Sequence, residues 1–313
     1  MRVAVFGAGG VGGYFGGRLA AAGEDVVFIA RGAHLDALRT HGLRVDSVKG
    51  DFVVRPARAT DDPAEVGAVD VVLVCVKAWQ VPEAAEAIRP LVGPDTCVVP
   101  LQNGVEAPSE LAAALGTDRV LAGLCGIFSL IVGPGHIRHA GGEPFVRFGE
   151  LDNRPSARAE RLRAAFLRAG VTAEIPPDIH VALWTKLVFV GPVGGVGAVT
   201  RAPAGVWRAV PETRQMVEQA MREVQAIARG RGVAIRPDAL SWAMTTLDGL
   251  PPETTASMQR DLIEGRPSEL EAQIGAVVRL GREAGAATPL HAFLYGSLLP
   301  QELRARGRIG AAA

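Results

Sequence analysis

Lysine is almost missing from this chain. Of its 33 basic residues only Lys49, Lys77 and Lys186 are lysine; the rest are arginine. Cations are written as arginine almost everywhere, so each lysine raises the question of what arginine could not do there. Arginine holds its proton under ordinary conditions, whereas lysine can release one. A surplus of either charge is missing too: Lys plus Arg and Asp plus Glu both number 33. With no net basic field to draw the chain to nucleic acid or an anionic membrane, a small-molecule partner is the better reading.

Cysteine is scarce. Cys75, Cys97 and Cys125 lie far apart in apolar surroundings, which suits buried thiols of a reducing compartment and not a disulfide framework. His136 and His139 stand three apart in the glycine-flanked "GPGHIRHAGG", read as a turn or hairpin. No cysteine is close to them in sequence, and no metal site is expected. The uncharged run from Leu187 to Val199 falls short of the ~20 residues of a membrane span and is broken by Gly and Pro. The N-terminal "VAVF" stops at glycines without a signal-peptide pattern. A soluble, cytoplasmic protein is expected.

The 313 residues suffice for two domains, and the patterning changes character once. "RVAVFGAGGVGGYFGGRLAAAG" reads as strand, glycine turn and helix, and "DVVFIAR" as the next strand, which completes a βαβ unit. "LRVDSVKGDFVVRPA" alternates around Lys49-Gly50 as a small hairpin attached to the sheet, a bland place for that lysine. "VDVVLVCVK" and "TCVVPLQNG" are unbroken apolar runs, as in parallel strands covered on both faces, with the helix "VPEAAEAIRPLV" between them. Strands over 120–149, a helix at 155–169 and the strand "VTAEI" close this half. Beyond "PPD" only helical periodicity appears, over 179–196, 204–230, 236–248, 253–264, 268–285 and 289–305. The expected organisation is an α/β Rossmann-type dinucleotide-binding domain over 1–176 and an all-α domain over 177–313, with apolar faces enough to support a homodimer.

Gly7, Gly9 and Gly12 form G-x-G-x-x-G, with a strand before, a helix after and a second strand about twenty residues on. Such glycines allow the tight turn and let a pyrophosphate reach the helix N-terminus. The loop Gly7, Ala8, Gly9, Gly10, Val11 and Gly12 is therefore the candidate nucleotide cradle. An NAD-selective site usually ends its second strand in Asp or Glu, but this strand ends in Arg31, which pairs with a 2′-phosphate instead. NADPH/NADP is the expected cofactor. Lys77 and Asn103 follow the third and fourth parallel strands, the end of the sheet where ligands bind. Asn103 falls near the nicotinamide on this reading, or is simply a turn asparagine before Gly104.

Lys186 sits in "WTKLVFVGPVGG" with no other charge. Hydride delivered to a carbonyl carbon leaves negative charge on oxygen, and a donor must supply a proton as it develops. A lysine beside an apolar wall suits that task; a lysine snorkelling from an amphipathic helix accounts for the same residues.

The sequence resembles the ketopantoate reductase family, also called 2-dehydropantoate 2-reductase, over nearly its whole length. The matching pieces are "GAGGVGG", Arg31, "VKAWQV", "QNGV", "WTKL" and "SMQRDLIEGRPSELE" in that order. The resemblance implies a Rossmann domain joined to a helical domain, an arrangement like that of 6-phosphogluconate dehydrogenase. It implies reduction of 2-dehydropantoate to (R)-pantoate by NADPH, in pantothenate biosynthesis. It further implies Lys186 as proton donor, Glu269 near the reacting centre, Ser257 on the substrate carboxylate, Asn103 at substrate and nicotinamide, and Lys77 by the cofactor. Taken alone, Ser257 and Glu269 read as helix-terminal polar residues.

The chain departs from the family where asparagines usually stand: Val190, Gly194, Ala204 and Thr254 occupy those positions. A site without these amides loses partners for the substrate hydroxyls. Gln102, Thr200 and Thr254 are candidates to replace them. Alternatives are a reductase of a less polar 2-oxo acid, an NADPH-binding sensor without turnover, or a dehydrogenase running in the oxidative direction on a hydroxy acid.

Overall fold

The computed structural model describes residues 1–310 as two compact units. Residues 1–102 and 106–179 form the first; 103–105 join 180–310 in the second.

The first unit contains two sheets. Strands β1 (Arg2–Phe6), β2 (Asp25–Ile29), β5 (Arg58–Thr60), β6 (Val69–Val74) and β7 (Val92–Pro100) build an all-parallel sheet in the order β5-β2-β1-β6-β7. Helices α1 (Gly10–Ala21), α2 (Gly32–His41), α3 (Val81–Ala87), α4 (Ala107–Leu115) and α5 (Ala157–Arg168) complete it. Order reverses beside β1, so the loop after β1 opens at the topological switch point. The sheet's strands are apolar on both faces because both are covered: Val3, Val5 and Phe28 enter one core cluster, Ala4, Val27 and Val72 another.

The second sheet corrects the expectation that the 43–54 hairpin extends the parallel one. Strands β3 (Leu43–Ser47) and β4 (Phe52–Val54) do pair antiparallel, but β3 runs parallel to β9 (His136–Glu150), which also pairs β8 (Leu121–Gly133) and β10 (Thr172–Glu174). His136 and His139 thus lie in a strand. His136 meets Asp46 at 2.8 Å, and His139 is buried with Nδ1 2.8 Å from the Ser47 hydroxyl. Among the described residues no cluster of His, Cys, Asp and Glu could hold a metal ion.

Helix α1 lies between the sheets, which explains glycines the nucleotide motif does not require. A Cβ on Gly16 would sit 2.6 Å from Val5 Cγ2 on one side; one on Gly13 would sit 2.7 Å from Ile137 Cγ1 on the other. Each helical glycine costs about 1 kcal/mol relative to alanine, and the close packing offsets it. Cys97 is buried in this unit, and burial pushes its thiol up to about 12.

The second unit is helical: α6 (Ile179–Thr200), α7 (Ala204–Trp207), α8 (Pro211–Gly230), α9 (Ala239–Asp248), α10 (Ser257–Ile263), α11 (Ala276–Glu283) and α12 (Pro289–Ala305). The helix expected over 204–230 is split because Val210 precedes Pro211 and takes an extended backbone, ψ 121°. The helix expected over 268–285 contains a π-helical turn at Glu271–Gly275. Helix α6 is longer than its uncharged run, 22 residues, and by length and composition could cross a membrane; 67% of its most apolar window is buried inside the protein. Trp184, Leu187, Val188 and Val196 of α6 pack with Val217, Met221 and Val224 of α8 in the core of this unit.

Candidate active site

The glycine loop divides its labour. Gly7 has φ +98°, and a Cβ there would lie 2.9 Å from the Val76 nitrogen. A Cβ on Gly12 would collide with the Gly7 carbonyl oxygen. The protein itself therefore demands the first and third glycines. Gly9 differs, because a Cβ there meets only Ile131 Cδ1, at 3.9 Å, and the space above it is open. Gly9 also caps α1 without a side-chain hydrogen bond, and the first turn, which contains Gly10, Val11 and Gly12, holds no acid. The first amides and the positive end of the helix are thus available to an anion, and the loop fits a dinucleotide. Ala8 is buried beneath it.

This contrast gives a prediction. Gly9→Ala should fold with a melting temperature within a few degrees of wild type yet weaken nucleotide binding about tenfold or more. Gly12→Ala should lose nucleotide binding and also about 1–3 kcal/mol of stability through overpacking. Fluorescence titration with NADPH and thermal melts of both variants check it.

Arg31 lies two residues past the end of β2, at the N-cap of α2. Its side chain is 71% exposed and 3.6 Å from Glu83, an exposed ion pair of little strength. Lys77 follows β6 and places Nζ 6.0 Å from the Trp79 ring centroid, while Gln80 Oε1 accepts from its backbone N–H at 3.2 Å.

The other candidates belong to the helical unit. Asn103 Nδ2 donates to Glu269 Oε2 at 3.1 Å across 166 residues of sequence. Gly104 makes this approach feasible with φ +103°; a Cβ there would lie 2.9 Å from the Ala272 carbonyl. Gln273 Nε2 donates to the same Glu269 oxygen at 3.2 Å. Glu269 and Gln273 are both buried, Glu269 two residues before the π-helical turn and Gln273 inside it. Such turns cluster at functional sites because they redirect side chains a regular helix would place elsewhere. The segment is anchored from α12: Glu302 accepts from the Ser268 backbone at 3.0 Å and from its hydroxyl at 2.5 Å.

Lys186 is half-buried on α6, flanked by buried Trp184, Leu187 and Val188. Val190 and Gly194 follow it at four-residue spacing on neighbouring turns. Further along, Gly191 and Gly194 let α6 close on the Glu269 segment: a Cβ on Gly191 would lie 3.0 Å from the Gln273 carbonyl oxygen, and one on Gly194 3.8 Å from Gln273 Oε1. Ser257 opens α10, and Met258 beside it fills the space next to Gly194, 2.9 Å from a Cβ built there. The structure thus unites Asn103 with Glu269. It places Lys186 and Ser257 in the same unit, with the glycine loop, Arg31 and Lys77 in the other.

Residues 3–153 match the family described as Ketopantoate reductase PanE/ApbA, and 178–302 match its C-terminal counterpart. The chain belongs to the ketopantoate reductase family. It is similar to a 2-dehydropantoate 2-reductase of Nostoc sp., with 34% identity over 99% of this chain and 97% of that one. An uncharacterized oxidoreductase of Bacillus subtilis, YkpB, is 29% identical over 95% of this chain and 98% of its own. Among solved structures, the 2-dehydropantoate 2-reductase of Geobacter metallireducens superposes with a TM-score of 0.90 at 34% identity, covering 96% of this chain and 99% of that one. As a ketopantoate reductase family member, this chain is an oxidoreductase of Rossmann-plus-helical architecture, and its general chemistry is reduction of a 2-oxo acid with a nicotinamide dinucleotide.

The structure also places the residues weighed as replacements for the family's asparagines. Thr200 spends its hydroxyl on its own helix, donating to the Val196 carbonyl at 2.8 Å. The Gln102 amide donates to the Val74 and Val76 carbonyls, each at 2.9 Å, and so holds the end of β6. The Thr254 carbonyl accepts from the Ala204 N–H at 2.9 Å, which seats two of the four altered positions together. A second amide joins Asn103 at Glu269, that of Gln273, which sequence reasoning missed. Its position, four residues after Glu269, is the one signal that could have found it.

Proposed function

We propose that this ketopantoate reductase family member reduces 2-dehydropantoate to pantoate with NADPH, a step toward pantothenate. The nicotinamide supplies the hydride for the keto carbon. Lys186 gives a proton to the keto oxygen as charge develops there, which arginine could not do. Asn103, held by its bond to Glu269, orients the substrate; Ser257 takes its carboxylate, and Arg31 pairs with the 2′-phosphate. The observation that carries this reading is the Asn103–Glu269 hydrogen bond, which joins two of the residues assigned to the site from distant parts of the chain.

Arg31→Ala should raise KM for NADPH about tenfold or more and change KM for NADH little, because only the former offers a 2′-phosphate. Steady-state kinetics with both nucleotides checks it, and equal effects on the two would overturn the assignment.

A second reading, a reductase of a less polar 2-oxo acid, is favoured by Val190, Gly194 and Ala204 and by the Met258 methyl against Gly194. Comparing kcat/KM for 2-dehydropantoate with those for 2-oxoisovalerate and pyruvate decides between the two. Preference for 2-dehydropantoate supports the first, preference for 2-oxoisovalerate the second, and tight NADPH binding without any turnover a sensor.

A further inference from the structure

His34, on the first turns of α2, makes two hydrogen bonds that fix its tautomer. The Gly135 backbone N–H donates to Nδ1 at 3.1 Å, and Nε2 lies 2.8 Å from the Ala8 carbonyl oxygen. A backbone N–H is always a donor and a carbonyl always an acceptor. Nδ1 therefore has no proton and Nε2 carries one. Burial lowers the pKa of this imidazole and outweighs the opposing pull of the Ala8 bond, in line with the neutral ring that the two hydrogen bonds define.

The two groups it joins matter for the glycine loop. Ala8 stands between Gly7 and Gly9. A trans peptide is planar, with its C=O and N–H pointing in opposite directions, so holding the Ala8 oxygen also sets the direction of the Gly9 N–H. Gly135 ends the tight turn between β8 and β9 with φ +67°, and its own carbonyl accepts from the Arg44 N–H at 2.9 Å. The same hairpin runs past the loop: a Cβ on Gly10 would lie 2.8 Å from the Ser129 carbonyl.

We propose that His34 is a positioning residue for nucleotide binding, a neutral bridge that locks the Ala8–Gly9 peptide of the glycine loop to the β8–β9 turn. It touches no reacting atom and acts through the loop amides. This rests on the reading of the loop as the dinucleotide site.

The test uses the full-length chain with His34→Ala and His34→Gln. Glutamine carries an acceptor and a donor at nearly the spacing of the two ring nitrogens, so it can remake both bonds. His34→Ala should raise the Kd for NADPH, read by fluorescence titration, about tenfold, the scale of one net hydrogen bond to three at most. His34→Gln should recover most of that loss. In the nucleotide-free protein, amide exchange over 7–13 and 133–137 should quicken in His34→Ala and return toward wild type in His34→Gln. In turnover, KM for NADPH should rise much more than kcat falls. Wild-type affinity in His34→Ala overturns the proposal, as does a His34→Gln that is folded and no tighter than His34→Ala. A wild type that binds neither NADPH nor NADH overturns it together with the reading of the loop.

Discussion

Lys186→Ala is expected to bind NADPH with wild-type affinity and to reduce 2-oxo acids about 10²–10⁴-fold more slowly, the usual worth of a positioned proton donor. Lys186 belongs to the helical unit and the glycine loop to the other, so the variant should separate chemistry from nucleotide binding. Lys186→Arg sharpens the test. It keeps the positive charge that steadies the developing oxyanion but has no proton to release, so it should recover little of the lost rate. Full turnover in Lys186→Ala would remove this residue from the chemistry, and recovery by arginine would reduce its role to electrostatics.

Glu223→Ala should be the most damaging stability change outside the site. The Glu223 carboxylate projects from α8 to cap α12, accepting from the backbone N–H groups of Leu290 and His291 at 2.9 and 3.0 Å, and it lies 2.7 Å from His291 Nδ1. Glu223 and His291 are both buried. Burial by itself raises the carboxyl pKa, but the hydrogen bonds from His291 and the two amides outweigh it and the net shift is downward from 4.5. Truncation leaves buried donors without a partner, which costs about 3 kcal/mol. A carboxylate depressed on folding stabilises fully above its unfolded value and loses that contribution as pH falls through the folded one. Urea denaturation should therefore show a gap of about 3 kcal/mol between wild type and Glu223→Ala at neutral pH, narrowing in acid below the ordinary carboxylate range. A gap that does not change with pH would assign the loss to packing instead.

The helical unit shows how much of the site was legible beforehand. Lys186 stood out because lysine is rare and its surroundings uncharged, both visible in the string itself. Asn103 could be placed after a parallel strand, but not in the helical unit, because nothing local says that residues 103–105 pack against a helix 166 positions on. Gln273 carries only its four-residue spacing from Glu269 as a local sign, since its value comes from the π-helical turn and from glycines on α6 that admit it. Nothing in the sequence marks His34, and only a turn about a hundred residues away gives its second nitrogen a partner.

The sequence alone determined the local elements. Apolar runs fixed the parallel strands, helical periodicity fixed the second unit, and glycines between strand and helix fixed the nucleotide loop, because each depends on steric rules acting over a few residues. Tertiary structure alone decided which distant groups share a hydrogen bond. It sent the 43–54 hairpin to a second sheet with β9, made α1 a helix covered on both sides, and set Asn103 and Gln273 on one carboxylate oxygen. These outcomes follow from which apolar faces close on one another, and hydrogen-bond partners are chosen only after that closure has excluded water.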